Sequence, residues 1–360
     1  MSTQTNPESG RVLRYVDAIR EALGQEMAAD PSVFVFGLDV DDHLGIQGST
    51  KGLVDEFGAD RVFTTPLSED AMTGVALGAA MTGMRPVHVH IRMDFMMLAM
   101  NQLVNMAAKT HYMYGGAYKV PMVVRSMIGK SWGQGAQHSQ GLHAMFAHVP
   151  GLKVVAPSNA YDVKGCLIQA IRDNNPVIFM EHRLLYGTEA YVPEASYALP
   201  FGHARVHGET DTGADVTVVG ISNMVMECLR ARELLAEEGV HAEVIDPVSI
   251  RPLDFATIKA SALRTGKVII VDNAWVDFGT SAEIAARIAE DDDLSGIKVR
   301  RMGYAPTTCP TTPWLEEHFY PNPATIATLA HGLARPGAAT WTPDPARAKL
   351  AYQTQFRGPF

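Results

Sequence analysis

The sequence has little cysteine, no surplus of positive charge and no long apolar run. Its three cysteines lie far apart and form no metal-ligand spacing, so neither a disulfide framework nor a structural zinc site is indicated. Lysine and arginine number 30 against 39 aspartates and glutamates, a net charge of −9, which disfavours nucleic acid as a partner. No stretch approaches the roughly 18 apolar residues of a membrane span. These absences predict a cytoplasmic protein with no membrane and no nucleic-acid partner.

The common nucleotide-binding and metalloprotease motifs are also missing. The chain contains no GxxxxGK[ST] loop and no GxGxxG between a strand and a helix, so it has no phosphate cradle of its own. It contains no HExxH motif. A chain of this size without a phosphate cradle suggests a site that another polypeptide completes.

Short β-branched runs alternate with helical patterns along most of the chain, which predicts an α/β fold with parallel sheets. A length of 360 residues and a hydrophobic content of 47% are enough for two buried cores. In the first half, helices are predicted over Glu69–Met84, capped by Ser68, and over Ala160–Arg172, capped by Ser158 or Asn159. The predicted strands there are Ser32–Phe36, Val87–Ile91, Pro121–Met127, Lys153–Ala156 and Pro176–Glu181.

A segment rich in proline and glycine interrupts this alternation and predicts a domain boundary. The expected organisation is a flexible N-terminus (1–12), a first three-layer α/β domain (13–190), a linker (191–212), a second three-layer α/β domain (213–334) and a C-terminal arm (335–360). The arm is irregular and is interpreted as lying on a neighbouring chain or as disordered. The second domain repeats the alternation, with strands at Asp215–Ile221, His241–Asp246, Lys267–Val271 and Ile297–Met302, and helices at Val225–Glu238 and Ser281–Glu290.

Glu69 is the first candidate functional residue. It lies in the first turn of a helix that follows a strand, which is where α/β folds place ligand-binding groups. A capping carboxylate favoured by the helix dipole is the structural alternative. On the same helix, Gly74 and Gly78 lie one turn apart, and small residues at this spacing indicate close packing in the core or across a subunit interface.

The segment Gly129–Gly141 is the second candidate. A glycine-rich loop of this length is usually functional, and His138 within it can reach a ligand and act as an acid or base. An incidental surface histidine is the alternative. A helix predicted from Arg92 to about Tyr114 belongs to a methionine-rich stretch, which suits either an ordinary core or an adaptable pocket lining.

Two further groups of residues are weaker signals. His88 and His90 share one face of a strand, but no third ligand has a suitable spacing, so a structural role is expected. The helix end at Ala170–Pro176 carries oxygen-bearing side chains and free carbonyls. It either caps and turns the chain or holds a monovalent cation.

Four longer motifs identify a resemblance. The chain contains TTPLSEDAMTGVALGAAMTGMRP from position 64, GQGAQHSQGLHAMFAHVPGLKVVAPSNAYDVKG from 133, AIRDNNPVIFMEHRLLYG from 170 and VIDPVSIRPLD from 244. From about Arg14 to Gly332 it resembles the beta subunit of the thiamine-diphosphate-dependent decarboxylating component of 2-oxo acid dehydrogenase complexes, in the transketolase superfamily. The resemblance implies a pyrimidine-binding domain followed by a transketolase C-terminal domain.

The resemblance also implies an activity, a cofactor and partners. The enzyme decarboxylates a 2-oxo acid on thiamine diphosphate and passes the acyl group to a lipoyl group, on a lipoyl-bearing acyltransferase core. The cofactor is shared with an alpha subunit in an α₂β₂ heterotetramer, and the alpha chain contributes the pyrophosphate and Mg²⁺ motif. A split transketolase or an acyloin-type carboligase or lyase, which uses the same cofactor without lipoyl transfer, is the alternative.

Residue by residue, the resemblance implies the following roles. Glu69 matches the family glutamate that bonds the aminopyrimidine ring and so promotes formation of the cofactor's ylid. Phe95 matches the aromatic that stacks on that ring, and His138 matches the histidine that steadies the 2-oxo acid or assists acyl transfer. A potassium site found in several members corresponds here to Ala170, Asp173 and Asn175, with Met122 adding a carbonyl.

Two departures from the family pattern lie near the expected pocket. Leu38 stands where the family usually has a glutamate beside the cofactor. The stretch from Met93 to Met97 replaces a more aromatic family version, which makes Met97 a cofactor-contacting candidate as well. Both changes bear on which substrate is used and on whether the acyl group is passed to a lipoyl group.

Overall fold

The computed structural model describes residues 11–130, 133–208 and 213–348, and two sheets organise them. The larger sheet has seven strands in the order β12-β6-β7-β5-β4-β2-β3, and all of its neighbouring pairs are parallel except β12 with β6. A separate antiparallel pair joins β1 to β8. In chain order these strands are β1 (Val12–Arg14), β2 (Val33–Gly37), β3 (Val62–Thr64), β4 (Arg85–His90), β5 (Val123–Ile128), β6 (Lys153–Val155), β7 (Val177–His182), β8 (Glu189–Tyr191) and, from the second half, β12 (Ser249–Arg251).

The second sheet has five strands in the order β14-β13-β10-β11-β9, of which β9 alone runs antiparallel to its neighbour. The strands are β9 (Arg205–His207), β10 (Val216–Gly220), β11 (Ala242–Asp246), β13 (Lys267–Trp275) and β14 (Lys298–Tyr304). The α-helices along the whole described chain are α1 (Tyr15–Ala29), α2 (Leu53–Phe57), α3 (Glu69–Met81), α4 (Ala108–Met113), α5 (His143–Ala147), α6 (Ala160–Arg172), α7 (Met224–Glu237), α8 (Phe255–Thr265), α9 (Thr280–Glu290), α10 (Pro313–Phe319) and α11 (Pro323–Ala334).

Helices cover both faces of each sheet, because strands buried on both sides present apolar side chains in both directions. In β2, Val33 and Val35 pack with α1 and α6, whereas Phe34 and Phe36 pack with α3 and α5. In the second sheet, α7 and α11 cover one face while α8 and α9 cover the other. The predicted α/β fold with two three-layer units is therefore confirmed.

The predicted long helix after Met93 is not one regular α-helix. Met93–Ala99 is a 3₁₀ segment, Asn101–Ala107 is a π-helical segment, and α4 completes the run. Apolar periodicity predicts a helical course but does not specify the hydrogen-bond spacing. π segments are rare and often lie at functional sites.

The two halves are more interlocked than the predicted boundaries suggest. The segment 191–212, predicted as a linker, contains β9, which forms an edge of the second sheet. In turn β12, from the predicted second domain, adds to the edge of the first sheet beside β6. β9 and β12 have three residues each and carry little periodic signal, and neither was predicted.

The described residues include part of the predicted C-terminal arm. Residues 1–10, predicted to be flexible, and 349–360 lie outside the described residues. The described part of the predicted arm lies on its own chain, since Trp341 stacks on His331 of α11 and Arg335 pairs with Asp215. Among the described residues, none of the helices has the length and apolarity that crossing a bilayer requires.

Candidate active site

A cavity of about 260 Å³ opens where three parallel strands of the first sheet end. Leu38 follows β2, Thr65 follows β3 and Arg92 lies just beyond β4, and all three line it. The carboxyl ends of neighbouring parallel strands are where α/β folds bind ligands. Glu69, Phe95 and His138 also line this cavity, so the structure brings four of the sequence-predicted residues together there: Leu38, Glu69, Phe95 and His138.

Glu69 is the first residue of α3 and has an uncommitted carboxylate. The preceding residue, Ser68, occupies the N-cap position but makes no side-chain capping bond, contrary to the expected cap. The Glu69 side chain forms no hydrogen bond or ion pair with any residue that the structure describes. Its charge is favoured by the positive end of the helix dipole. The carboxylate is therefore available to a ligand in the cavity.

Phe95 and His138 both line the cavity, and their rings contact each other. Their rings are 5.2 Å apart at an interplanar angle of 77°, an edge-to-face contact. Phe95 lies in the 3₁₀ segment that follows β4, and His138 follows a 3₁₀ turn at Gly135–Gln137. Met97 is not among the residues that line the cavity and packs instead against the core beneath α3. Its contact with a cofactor remains a prediction.

The loop that carries His138 is held against the second half of the chain. A Cβ atom at Gly141 would lie 1.7 Å from the backbone oxygen of Asn273, and one at Gly135 would lie 2.4 Å from Thr311 Cγ2. Both glycines therefore permit an approach that a larger residue would block. Ser131 and Trp132, within the same loop, lie outside the described residues. The glycine content of this loop thus reflects close packing.

His88 and His90 line the cavity as well, although the sequence suggested a purely structural role. Burial lowers the pKa of His88 to about 4 and lowers the pKa of His90 well below its usual value. His90 Nε2 is 3.2 Å from Thr73 Oγ1, and the His88 ring stacks on Phe36. Both imidazoles are therefore neutral at physiological pH and add no charge to the cavity wall.

Two buried arginines near the cavity were missed by the sequence analysis. Arg92 and Arg183 both donate to Oε1 of Gln134, at 2.9 and 2.6 Å, and Arg183 also donates to the carbonyl oxygen of His138 at 2.8 Å. The signal that could have found Arg92 is its position directly after the predicted strand Val87–Ile91, since α/β folds bind ligands at strand ends. Arg183 follows β7 in the same way.

The four residues predicted to bind potassium meet at the end of α6. Three of them have oxygens already bonded to protein donors: the Met122 carbonyl accepts from Val177 N, the Ala170 carbonyl from Asp173 N, and the Asp173 carboxylate from Asn175 N. Two cationic side chains also lie there, since Arg85 donates to the Asp173 carbonyl and Lys153 pairs with its carboxylate. Within 11–130, 133–208 and 213–348, no three His, Cys, Asp or Glu side chains converge as a metal site. A potassium ion here remains a prediction.

Comparisons with known proteins agree with this geometry. Residues 12–189 match the family "Transketolase, pyrimidine binding domain", and residues 202–326 match "Transketolase, C-terminal domain". The chain is 43% identical over 332 residues to the acetoin:2,6-dichlorophenolindophenol oxidoreductase subunit beta of Cupriavidus necator, covering 89% of this chain and 97% of that protein. It is 43% identical over 278 residues to the mitochondrial pyruvate dehydrogenase E1 component subunit beta of Homo sapiens, covering 76% and 77%.

Solved structures support the fold. A split-gene transketolase, described as an inactive beta4 tetramer, aligns with a TM-score of 0.74 at 22% identity and covers 88% of this chain and 97% of that one. A transketolase from Leishmania mexicana aligns with a TM-score of 0.69 at 17% identity, covering 95% and 48%. The chain therefore belongs to the family of beta subunits of thiamine-diphosphate-dependent 2-oxo acid dehydrogenases, within the transketolase superfamily, whose members work with an alpha subunit.

Proposed function

We propose that this chain supplies the pyrimidine side of a shared thiamine diphosphate site, at which a 2-oxo acid is decarboxylated and its acyl group passed to a lipoyl acceptor. The observation that carries the proposal is the uncommitted carboxylate of Glu69 in one cavity with Phe95 and His138. Two copies of the chain and two alpha subunits form the complete enzyme, and a lipoyl-bearing core receives the product.

The cavity residues fit the aminopyrimidine half of the cofactor. Phe95 offers an aromatic face for stacking, and Glu69 offers a carboxylate that can share a proton with a ring nitrogen. The neutral His88 and the apolar Leu38 add no charge to their part of the wall. When bound, thiamine diphosphate supplies the carbanion chemistry of the decarboxylation, while the protein tunes it.

His138 acts on the substrate side of the same cavity. Its ring is within reach of a ligand packed against Phe95, and an imidazole can donate or accept a proton near neutral pH. We assign it to holding the 2-oxo acid and assisting acyl transfer.

The diphosphate and Mg²⁺ are assigned to the alpha subunit, because this sequence has no phosphate-binding loop. The cytoplasmic location expected from the sequence stays a prediction.

The proposal is tested by Glu69→Gln in the enzyme assembled with its alpha subunit. Glutamine keeps the shape of the side chain but cannot exchange a proton with the pyrimidine in the same way. Hydrogen–deuterium exchange at the thiazolium carbon of the bound cofactor should slow by about 10²- to 10⁴-fold, the usual contribution of a positioned acid–base group. Asp70→Asn is the matched control, since Asp70 is the next carboxylate on α3 but does not line the cavity.

The outcome separates the assigned role from helix capping. Exchange at the wild-type rate in Glu69→Gln, with the complex intact by light scattering, would overturn the assignment. The acceptor is tested separately by supplying the wild-type enzyme with a 2-oxo acid and either a lipoyl domain or an aldehyde. If product forms with the aldehyde and not with the lipoyl domain, the assigned reaction is carboligation and lipoyl transfer is rejected.

A further inference from the structure

Arg92 is a buried cation of the candidate site without a carboxylate partner. It lines the cavity together with Glu69 and His138 and is 7% exposed. Its Nε donates to Gln134 Oε1 at 2.9 Å and its Nη1 donates to the Ile91 carbonyl at 2.8 Å. Among the described residues, no ion pair includes Arg92 and no acceptor is bonded to its Nη2. Because arginine stays protonated in proteins, this charge needs a counterion.

A second guanidinium increases the positive charge at this wall. Arg183 shares the Gln134 oxygen with Arg92, and burial together with the Arg92 charge lowers the pKa of Arg183 to about 10. Asp94 is the carboxylate whose charge acts on both guanidiniums through space, and Glu316 acts on Arg183 as well. Asp94 Oδ1 accepts hydrogen bonds from Gln140, so Arg92 still has no carboxylate bonded to it among the described residues.

The chemistry of decarboxylation indicates which anion this charge suits. The carboxylate adjacent to the 2-oxo group loses its charge as carbon dioxide leaves. A strong ion pair with that group would stabilise the bound substrate more than the transition state and would slow the reaction. An acidic group elsewhere on the substrate keeps its charge throughout, so pairing with it strengthens binding without this penalty.

We propose that Arg92, positioned by Gln134 and assisted by Arg183, binds a second, non-reacting acidic group of the substrate. The preferred substrate is therefore a 2-oxo acid with an acidic group at its far end. A guanidinium matches a carboxylate, sulfonate or phosphate through paired N–H donors, which makes arginine suited to this contact. The inference rests on the proposed function, because it concerns the substrate of that same cavity.

The test compares charged and neutral substrates of the same shape in the assembled enzyme. One probe is 2-oxoglutarate, and its neutral isostere is 5-methyl-2-oxohexanoate; oxaloacetate and 2-oxoadipate extend the series by length. The wild-type enzyme should favour at least one dicarboxylate over the neutral isostere in kcat/KM by roughly 10- to 100-fold, as expected for a charged hydrogen-bonded pair. Arg92→Met should abolish this preference mainly through KM, and Arg92→Lys should restore part of it.

The control is Arg61→Met, which also removes a guanidinium bonded to backbone carbonyls, but one that lies outside the cavity. It should retain the wild-type preference. Equal selectivity in wild type and Arg92→Met, or a wild-type preference for the neutral isostere, would overturn the inference.

A binding measurement keeps this inference separate from the proposed function. Calorimetry with succinate, glutarate and adipate should detect binding of at least one of them to the wild-type complex and a loss of roughly tenfold or more in Arg92→Met. If no 2-oxo acid is turned over while this difference persists, the proposed function fails and the anion site stands. If turnover is present but the difference is absent, the anion site fails alone.

Discussion

His138 is held in place by its backbone and not by its imidazole. The His138 carbonyl accepts from Arg183 at 2.8 Å, and the adjoining loop packs through Gly135 and Gly141 against the second half of the chain. The ring itself contacts Phe95 and no hydrogen bond between described residues includes it. Removing the imidazole should therefore leave the loop conformation unchanged.

The first prediction follows from this arrangement. In the assembled enzyme, His138→Ala should lower turnover of the true substrate by about 10²- to 10⁴-fold, because a positioned acid–base group is lost. Thiamine diphosphate affinity should change little, since the histidine is assigned to the substrate side. The control His148→Ala removes an exposed imidazole outside the cavity and should leave turnover unchanged. A loss below about tenfold for His138→Ala would make it an ordinary loop residue.

At this scale the sequence predicted residues with a distinctive local context. Glu69 at a helix start and His138 in a glycine-rich loop were predicted, and both line the cavity. Arg92 and Arg183 were missed, because their meeting at Gln134 depends on tertiary contacts between distant segments. The buried pair of Arg125 and Glu181 was missed for the same reason.

At the scale of elements, sequence periodicity predicted the longer strands and failed for most of the three-residue ones. The five strands predicted in the first half are present, with ends shifted by at most two residues. Among the three-residue strands, β6 was predicted, but β9 and β12 were not, since each of these two is stabilised by one neighbour at a sheet edge and not by its own pattern. β12 also joins the two halves of the chain, because it pairs with β6 of the first sheet.

The junction of the two halves contains buried acids. Asp246, at the end of β11, accepts hydrogen bonds from the Ser158 hydroxyl and from Val248 N. Burial, reinforced by the negative charge of Asp162, raises the pKa of Asp246 to about 7 from its ordinary value of 3.8. Between these pH values the folded chain binds a proton that the unfolded chain has released. The stability of the fold therefore falls as pH rises through this range.

The second prediction tests this contribution with Asp246→Asn, in which the amide oxygen can accept from Val248 N and the amide nitrogen can donate to the Ser158 hydroxyl oxygen. Between about pH 4 and pH 7, the wild-type free energy of unfolding should fall by about 4 kcal/mol at most relative to that of the variant. Above this range the difference should stay constant. Denaturant titrations at several pH values measure the difference. The exposed Asp70→Asn should follow the wild type. A constant difference between wild type and Asp246→Asn across the range would contradict the assigned pKa direction.

At the scale of the whole molecule, the described chain presents surfaces that suit an assembly. Phe278, Tyr112, Trp314 and Leu67 are among the large apolar side chains that are mostly exposed. A Cβ atom at Gly78 on α3 would meet nothing within 4 Å of the described chain, whereas one at Gly74 would lie 3.6 Å from Gln102 Cδ, so the face is open at Gly78 only. Exposed apolar surface is typical of protein interfaces. Leu67 also lines the cavity, which places part of this exposed surface beside the candidate site.

The last prediction concerns what this chain lacks when alone. Because the sequence has no phosphate-binding loop, we expect the alpha subunit to bind the diphosphate and its Mg²⁺. Calorimetry should therefore find the isolated chain unable to distinguish thiamine diphosphate from thiamine, since only the pyrimidine side is present. With the alpha subunit, identified as the polypeptide that co-purifies with this chain, the diphosphate form should bind at least roughly 100-fold more tightly than thiamine, as several charge-assisted hydrogen bonds are added. Tight, Mg²⁺-dependent binding of thiamine diphosphate to this chain alone would show that the phosphate site is encoded here after all, and the shared site would have to be abandoned.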